Sequence, residues 1–337
     1  MDEVTSAKPR RKWARRLGFG CLGLLVLIVA FVAYLLIAKP WTRDVAIEAP
    51  LAGGTRVTEG GMIGNYYAPD RDAKPGAVLV IGGSEGGLSS SANAMGAALR
   101  DAGYRALVLS YWGGEGQGRE LSGVPLERVG AGLDWLKAQP GVDGKLGLIG
   151  YSKGAEAALL LAARRGDLTA VVAQVPSHLS WQGISPLAMM VVSQSSFTWA
   201  DETIPFMPYR NVDFMKGPGP YEIHSKSLVD QAQFPQAQIA VEKIGAALML
   251  TCGGKDNVWP SCPMAKKIVE RRAAKGAAAP LLLEYPDAGH AIFMVPGREG
   301  FDAKTVRRLG GDPQATAAAR ADAWPKTLAF LDAAFAR

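Results

Sequence analysis

The stretch that most constrains this chain is Leu146–Leu160, LGLIGYSKGAEAALL, where a serine flanked by glycines separates a short apolar run from an alanine-rich one. LGLI reads as a buried strand, and AEAALLLAARRG as a helix closed by Gly166. Ser152 then falls on a sharp strand-to-helix turn, a nucleophile elbow, where a Cβ atom at position 150 or 154 would collide with the turn; Gly150 and Gly154 remove it. The helix points its N-terminus at the same spot, so the backbone N–H of Lys153 is free to face an oxyanion formed at the serine.

The rest of the chain supplies the framework such a turn needs. Apolar strands are expected at RVTEG, MIGNYYAP, AVLVIGG, RALVLSYW, LGLIG, AVVAQVPS, ALMLTCGG and PLLLEYP. Helices are expected near Ser91–Gly103, Pro125–Gln139, Gly154–Arg165, Cys262–Lys275 and Ala315–Phe335. Strands alternating with amphipathic helices predict an α/β fold with a mostly parallel central sheet flanked by helices. One interval breaks the alternation, residues 177–239, which is too long for an ordinary loop and reads as a cap insertion over the site. Its apolar residues, Trp181, Met189, Met190, Phe197, Trp199, Phe206, Met207 and Phe214, are either an acyl pocket or the packing of the cap onto the sheet.

The formal charge of +6 looks basic, but Lys8, Arg10, Arg11, Lys12, Arg15 and Arg16 against Asp2 and Glu3 concentrate most of it in the first 16 residues. A nucleic-acid surface would instead need cations clustered on the folded domain. No phosphate-binding P-loop, metal-ligand cluster or internal repeat is visible, and the expected chemistry requires no cofactor.

Residues 17–38, LGFGCLGLLVLIVAFVAYLLIA, carry no charge. As a helix they cover roughly 33 Å, against about 30 Å of bilayer hydrocarbon, whereas the apolar core of a signal peptide runs only about 7–15 residues. The run therefore reads as an uncleaved transmembrane anchor in contact with membrane lipid. Its basic N-terminal flank places residues 1–16 in the cytoplasm and the domain beyond the 39–50 linker outside it, in the periplasm if the source is bacterial. Cys21 precedes most of the run, which argues against a lipoprotein cleavage site. Cys252 and Cys262 are expected as two small buried thiols, with a disulfide the alternative in an oxidising compartment.

A serine hydroxyl needs a base, and the base a carboxylate to hold its tautomer. Of three histidines, His290 in YPDAGHAIF directly follows the last expected strand, where a base belongs; His178 and His224 could touch substrate but stand elsewhere. Asp256 in TCGGKDNVWPS follows the penultimate strand and completes the order nucleophile, acid, base, while Asp287 suits a turn. A second oxyanion donor is expected from the glycine loop after AVLVIGG, the N–H of Glu85 or, secondarily, of Ser84. Trp181, Phe197, Trp199, Phe206 and His178 are the substrate-contact candidates. The Lys153 and Glu156 side chains read as ordinary surface charge on a helix.

These segments carry a resemblance. GLIGYSKGAE, IGGSEGGL, AVEKIGAALMLTCGGKDNVWPS and YPDAGH look like the catalytic domain of the acyl-CoA thioesterase and bile acid-CoA:amino acid N-acyltransferase family, from about Gly76 to the C-terminal helix. The resemblance implies an α/β-hydrolase fold, dienelactone-hydrolase-like, over residues 51–337. It also implies a Ser152–Asp256–His290 triad that acts on an acyl ester or thioester through an acyl-enzyme. Members of that family carry a β-sandwich ahead of the hydrolase domain, for which the residues between Pro40 and Lys74 are too few. Their nucleophile is often cysteine, suited to transfer to an amine, whereas serine leans towards hydrolysis. An extracytoplasmic domain does not meet cytosolic acyl-CoA, so the mechanism carries over while the leaving group stays open. The competing readings are an acyltransferase to an amine or alcohol, and a catalytically idle hydrolase fold that binds a lipid or a partner.

Overall fold

Apolar runs such as AVLVI, LGLIGY and AVVAQ have no polar face to offer water, and each lies inside a sheet covered on both sides. The computed structural model describes residues 10–39, 42, 45, 47–71, 73–185, 193–298 and 302–337. It divides into two units, residues 1–43 and 44–337. The first contains helix α1 (Arg10–Ala38), whose stretch Gly18–Ala38 has a mean hydropathy of 3.0, long and apolar enough to cross a membrane.

In the second unit the strands are β1 (Gly54–Val57), β2 (Ile63–Tyr67), β3 (Ala77–Ile81), β4 (Arg105–Ser110), β5 (Val124–Pro125), β6 (Leu146–Tyr151), β7 (Ala170–Gln174), β8 (Phe197–Trp199), β9 (Glu202–Thr203), β10 (Ala247–Gly253) and β11 (Leu281–Tyr285). The helices are α2 (Ser90–Asp101), α3 (Glu127–Lys137), α4 (Lys153–Ala162), α5 (Pro220–Leu228), α6 (Ser261–Ala274), α7 (Ala303–Arg308) and α8 (Pro313–Phe335). Eight strands form one sheet in the order β1-β2-β4-β3-β6-β7-β10-β11. Only the β1–β2 and β2–β4 pairings are antiparallel; from β4 onward every pairing is parallel.

Successive side chains point to opposite faces, so each inner strand feeds two cores. Leu79, Ile81, Leu107, Leu109, Leu148, Val171 and Leu250 pack on one face with residues of α3, α4 and α6. Val78, Val80, Val108, Ile149, Val172 and Met249 pack on the other with Met95 and Leu99 of α2 and Leu331 and Phe335 of α8.

Two expectations are corrected. Cys252 and Cys262 are a disulfide, not two thiols, with Cα atoms 5.0 Å apart; one cysteine is the penultimate residue of β10 and the other the second residue of α6. The 177–239 interval, expected to break the alternation of strands and helices, contains short strands of its own. It holds β8, β9 and α5, and β8 pairs with β5 in a separate three-stranded sheet, β5-β8-β9. Met189 and Met190, and the basic tail before Arg10, lie outside the described residues.

Candidate active site

Ser152 follows β6 and stands at the N-cap of α4 with φ 56° and ψ −125°, a backbone that a non-glycine residue adopts only when its surroundings impose it. Here they do. A Cβ on Gly150 would stand 2.2 Å from the Gly154 carbonyl oxygen, and one on Gly154 would stand 2.3 Å from that of Gly82. The turn is packed backbone on backbone, and the Ser152 N–H donates to the Gln174 carbonyl at 3.0 Å. Lys153 is the first helical residue, so its own N–H has no intrahelical acceptor.

The glycine loop after β3 comes up beside the serine; a Cβ on Gly83 would lie 3.0 Å from that of Ser152. Tyr111 Oη donates to the Gly82 carbonyl at 2.8 Å and braces the loop from below. The Glu85 carboxylate folds back under it, accepting from Tyr151 Oη at 2.5 Å and from the Gly83 N–H and Ser89 Oγ, both at 3.3 Å. Burial raises the Glu85 pKa, against the opposing pull of those donors. Ser84, by contrast, stands on the wall of the serine's cavity.

Because β6, β7, β10 and β11 are parallel neighbours, the loops that follow them open on one edge of the sheet. Asp256 and His290 meet there, with His290 Nδ1 2.7 Å from Asp256 Oδ2 and both side chains buried. The other carboxylate oxygen accepts from the Val258 and Trp259 N–H groups at 2.8 and 3.2 Å, which fixes the acid from the far side. The His290 N–H donates to the Leu309 carbonyl at 3.0 Å. A Cβ on the preceding Gly289 would stand 1.8 Å from the Gly310 carbonyl oxygen, so the loop is clamped by a contact only glycine permits.

Ser152 lines a cavity of about 230 Å³, walled by Ser84, Lys153, Tyr209, His224 and Trp259 together with smaller apolar residues. Trp259 connects the parts. Its ring centre is 6.1 Å from that of His290, its N–H is held by Asp256, and its indole N–H donates to the Val175 carbonyl at 3.1 Å. Val175 has φ 44°, which is strained for a β-branched residue.

Sequence reasoning missed Trp259 and Tyr209, although Trp259 lies only three residues beyond Asp256. None of the five expected substrate contacts lines this cavity. Trp181 is buried behind it, 5.9 Å from Tyr209 and 4.7 Å from His224 between ring centres. Phe197 is in the core, Trp199 packs partly buried against that core, and Phe206 is half-buried. His178 bonds Gln231 at 2.9 Å and lines a different cavity, with Lys267 and Arg271. These rings found partners in one another and in the sheet.

Lys153 and Glu156 are not surface charges. Both are buried, with Lys153 Nζ 2.6 Å from Glu156 Oε2 and 2.7 Å from Ser196 Oγ, while Glu156 Oε1 accepts from the Trp181 N–H at 2.8 Å. Burial pulls the lysine pKa down and the glutamate pKa up, each opposed by the other's charge. The pair ties the elbow helix to the segment that walls the cavity.

A family model described as BAAT / acyl-CoA thioester hydrolase C terminal matches residues 124–337. Acyl-coenzyme A thioesterase 6 of Homo sapiens is 25% identical over 289 residues, covering 79% of this chain and 61% of the relative. The mitochondrial acyl-coenzyme A thioesterase 2 of Mus musculus is 26% identical over 294 residues, covering 83% and 61%. The chain thus spans about three fifths of the length of these curated relatives. Among solved structures, a Klebsiella pneumoniae protein assigned as a dienelactone hydrolase superposes with a TM-score of 0.54 at 18% identity, covering 84% of this chain and 99% of that one. That likeness shows the α/β-hydrolase fold.

Proposed function

The chain belongs to the BAAT / acyl-CoA thioester hydrolase C-terminal family, and from that premise we propose that it is a membrane-anchored serine hydrolase of acyl thioesters or esters, working through an acyl-enzyme on Ser152. The observation that carries this reading is the Asp256–His290 pair at 2.7 Å, on the same sheet edge as a serine held at φ 56° over a cavity. Asp256 accepts from Nδ1–H of His290, so the ring presents Nε2 as the base that takes the Ser152 proton and returns it to the leaving group. Attack places negative charge on the acyl oxygen, which the Lys153 N–H and the N–H of Glu85 or Ser84 stabilise without reorganising. Water then repeats the attack and frees the acid.

Two features support an extracytoplasmic placement: the apolar helix behind a basic flank, and a disulfide in the acid loop, a bond that persists in oxidising compartments. Cytosolic acyl-CoA would be out of reach there, so the leaving group stays open between a thioester and an oxyester.

The test is Ser152→Ala in the full chain, assayed on short acyl thioesters and oxyesters, alongside labelling with a fluorophosphonate probe. Turnover should fall by roughly three orders of magnitude or more and labelling should vanish. Undiminished turnover by the alanine variant would sink the assignment.

A further inference from the structure

Two polar atoms in the wall of the serine's cavity have nothing to bond. His224 and Tyr209 are 6% and 9% exposed, and His224 Nε2 and Tyr209 Oη are buried without a hydrogen-bond partner. Buried polar groups are nearly always paired, and two orphans in one cavity beside a nucleophile mark the place where a ligand completes them.

Their chemistry says what kind of ligand. His224 Nδ1 lies 2.7 Å from the Pro220 carbonyl, which only accepts, so Nδ1 carries the hydrogen. Burial among Trp181, Tyr209 and Trp259 pushes this imidazole down to about pKa 4, so at neutral pH Nε2 is a bare lone pair. The charges acting on the ring, Lys153 and Asp256, oppose each other, and the Pro220 and Val258 carbonyls favour the charged ring by less than burial disfavours it. Burial pushes the Tyr209 phenol up, so it keeps its proton and can donate. The two rings stand perpendicular with centres 5.5 Å apart. An acceptor and a donor on the wall of one cavity complement a group that donates and accepts at a single atom. A methylene chain would leave both unpaired, and a carboxylate would face the Nε2 lone pair. The apolar wall residues, Ile184, Pro220, Ile223, Val258 and Trp259, suit the hydrocarbon around such a group, and Ser84, Ser152 and Lys153 complete the wall.

We propose that the acyl group accepted here bears a hydroxyl, held between His224 Nε2 and Tyr209 Oη, and that these two residues set acyl specificity; this deepens, and rests on, the serine-hydrolase reading. A cavity of about 230 Å³ is below the roughly 300–1,000 Å³ of sites that enclose a drug-sized ligand, so the enclosed part of the acyl group is short.

The experiment measures binding first, by calorimetry on the full Ser152→Ala chain in detergent. The ligands are 2-heptanone and its monohydroxylated isomers, which mimic an acyl group and carry no leaving group. At least one isomer should bind about tenfold or more tightly than the parent ketone. That advantage should shrink to within about threefold in His224→Phe and in Tyr209→Phe while the parent's affinity holds. A parent ketone that binds as tightly as every isomer overturns the proposal whether or not the variants fold, and so does an advantage that survives both substitutions. Wild-type turnover of hexanoyl and hydroxyhexanoyl thioesters separates the two readings. Selective binding with no turnover of any ester overturns the hydrolase and leaves the hydroxyl site standing; turnover with no hydroxyl preference does the reverse.

Discussion

Lys153 and Glu156 show what a sequence reading misses at the scale of a residue. A lysine and a glutamate three apart at a helix start are usually a solvated pair, and nothing in KGAE says otherwise; burial came from the chain that closes over them, through Ser196 and Trp181. Breaking a buried pair leaves an uncompensated charge, so Lys153→Met should cost about 3–5 kcal/mol, while Lys153→Met with Glu156→Gln should recover much of it, because the amide oxygen can still accept from the Trp181 N–H. Chemical denaturation of the two singles and the double measures the coupling, and additive losses would contradict it. His178 and His224 make a second residue-scale prediction. Both are buried, and burial lowers each to about pKa 4, whereas in the unfolded chain they titrate near 6.5. Between those values the unfolded chain binds more protons than the native one, so stability is unaffected by these groups above about pH 6.5 and falls as pH drops towards 4. The loss is roughly 1.4 kcal/mol per pH unit for each histidine. Denaturant midpoints from pH 7 to 4 should show that slope, and His178→Gln should flatten it by about half.

The six inner strands of the large sheet, β11 and the helices α2, α3, α4, α6 and α8 were legible as elements, the inner strands because they are apolar runs buried on both faces; edge strand β1 shares only Arg56 and Val57 with the expected RVTEG, whose Glu59 and Gly60 lie in a 3-10 turn. The loops after those strands then placed Ser152, Asp256 and His290 on one edge. The three-stranded sheet was illegible, since strands of two or three residues carry no period to detect. For the same reason the cavity wall was misassigned: aromatic composition predicted contact with substrate, but composition cannot say which ring faces the cavity and which packs behind it, as Trp181 does. The loop that carries Asp256 was misread in redox state, because spacing alone cannot tell a bridge from two thiols. That bridge spans ten residues, Asp256 and Trp259 among them. A closed loop of this size restrains the unfolded chain by nearly 3 kcal/mol. Replacing both cysteines with alanine should therefore lower Tm by roughly 4–5 °C. Because the loop carries the carboxylate that orients His290, turnover should fall in step with it; calorimetry with and without a reductant checks the first effect and steady-state assays the second.

At the scale of the whole molecule, the question is whether the apolar helix and the hydrolase unit are separable. The unit from Asp44 to Arg337 contains both core clusters and every residue of the serine cavity. The helix stretch Gly18–Ala38 exposes Phe19, Leu27, Val29 and Phe31. An exposed apolar cylinder of about 30 Å is stable in a bilayer and not in water. A chain starting at Asp44 should accordingly be water-soluble, keep the Tm of the full chain within a degree or two, and hydrolyse water-soluble short-chain esters at the same rate. The full chain should stay in the membrane fraction through an alkaline carbonate wash, and added protease should degrade the domain from the extracytoplasmic side alone. If the truncated chain is insoluble, the helix is part of the fold and not an anchor. If the full chain is released by carbonate or recovered shortened at its N-terminus, the run is a cleaved export signal. In that case the domain would still lie outside the cytoplasm, the disulfide would still be expected to form there, and only the tether to the membrane would be lost.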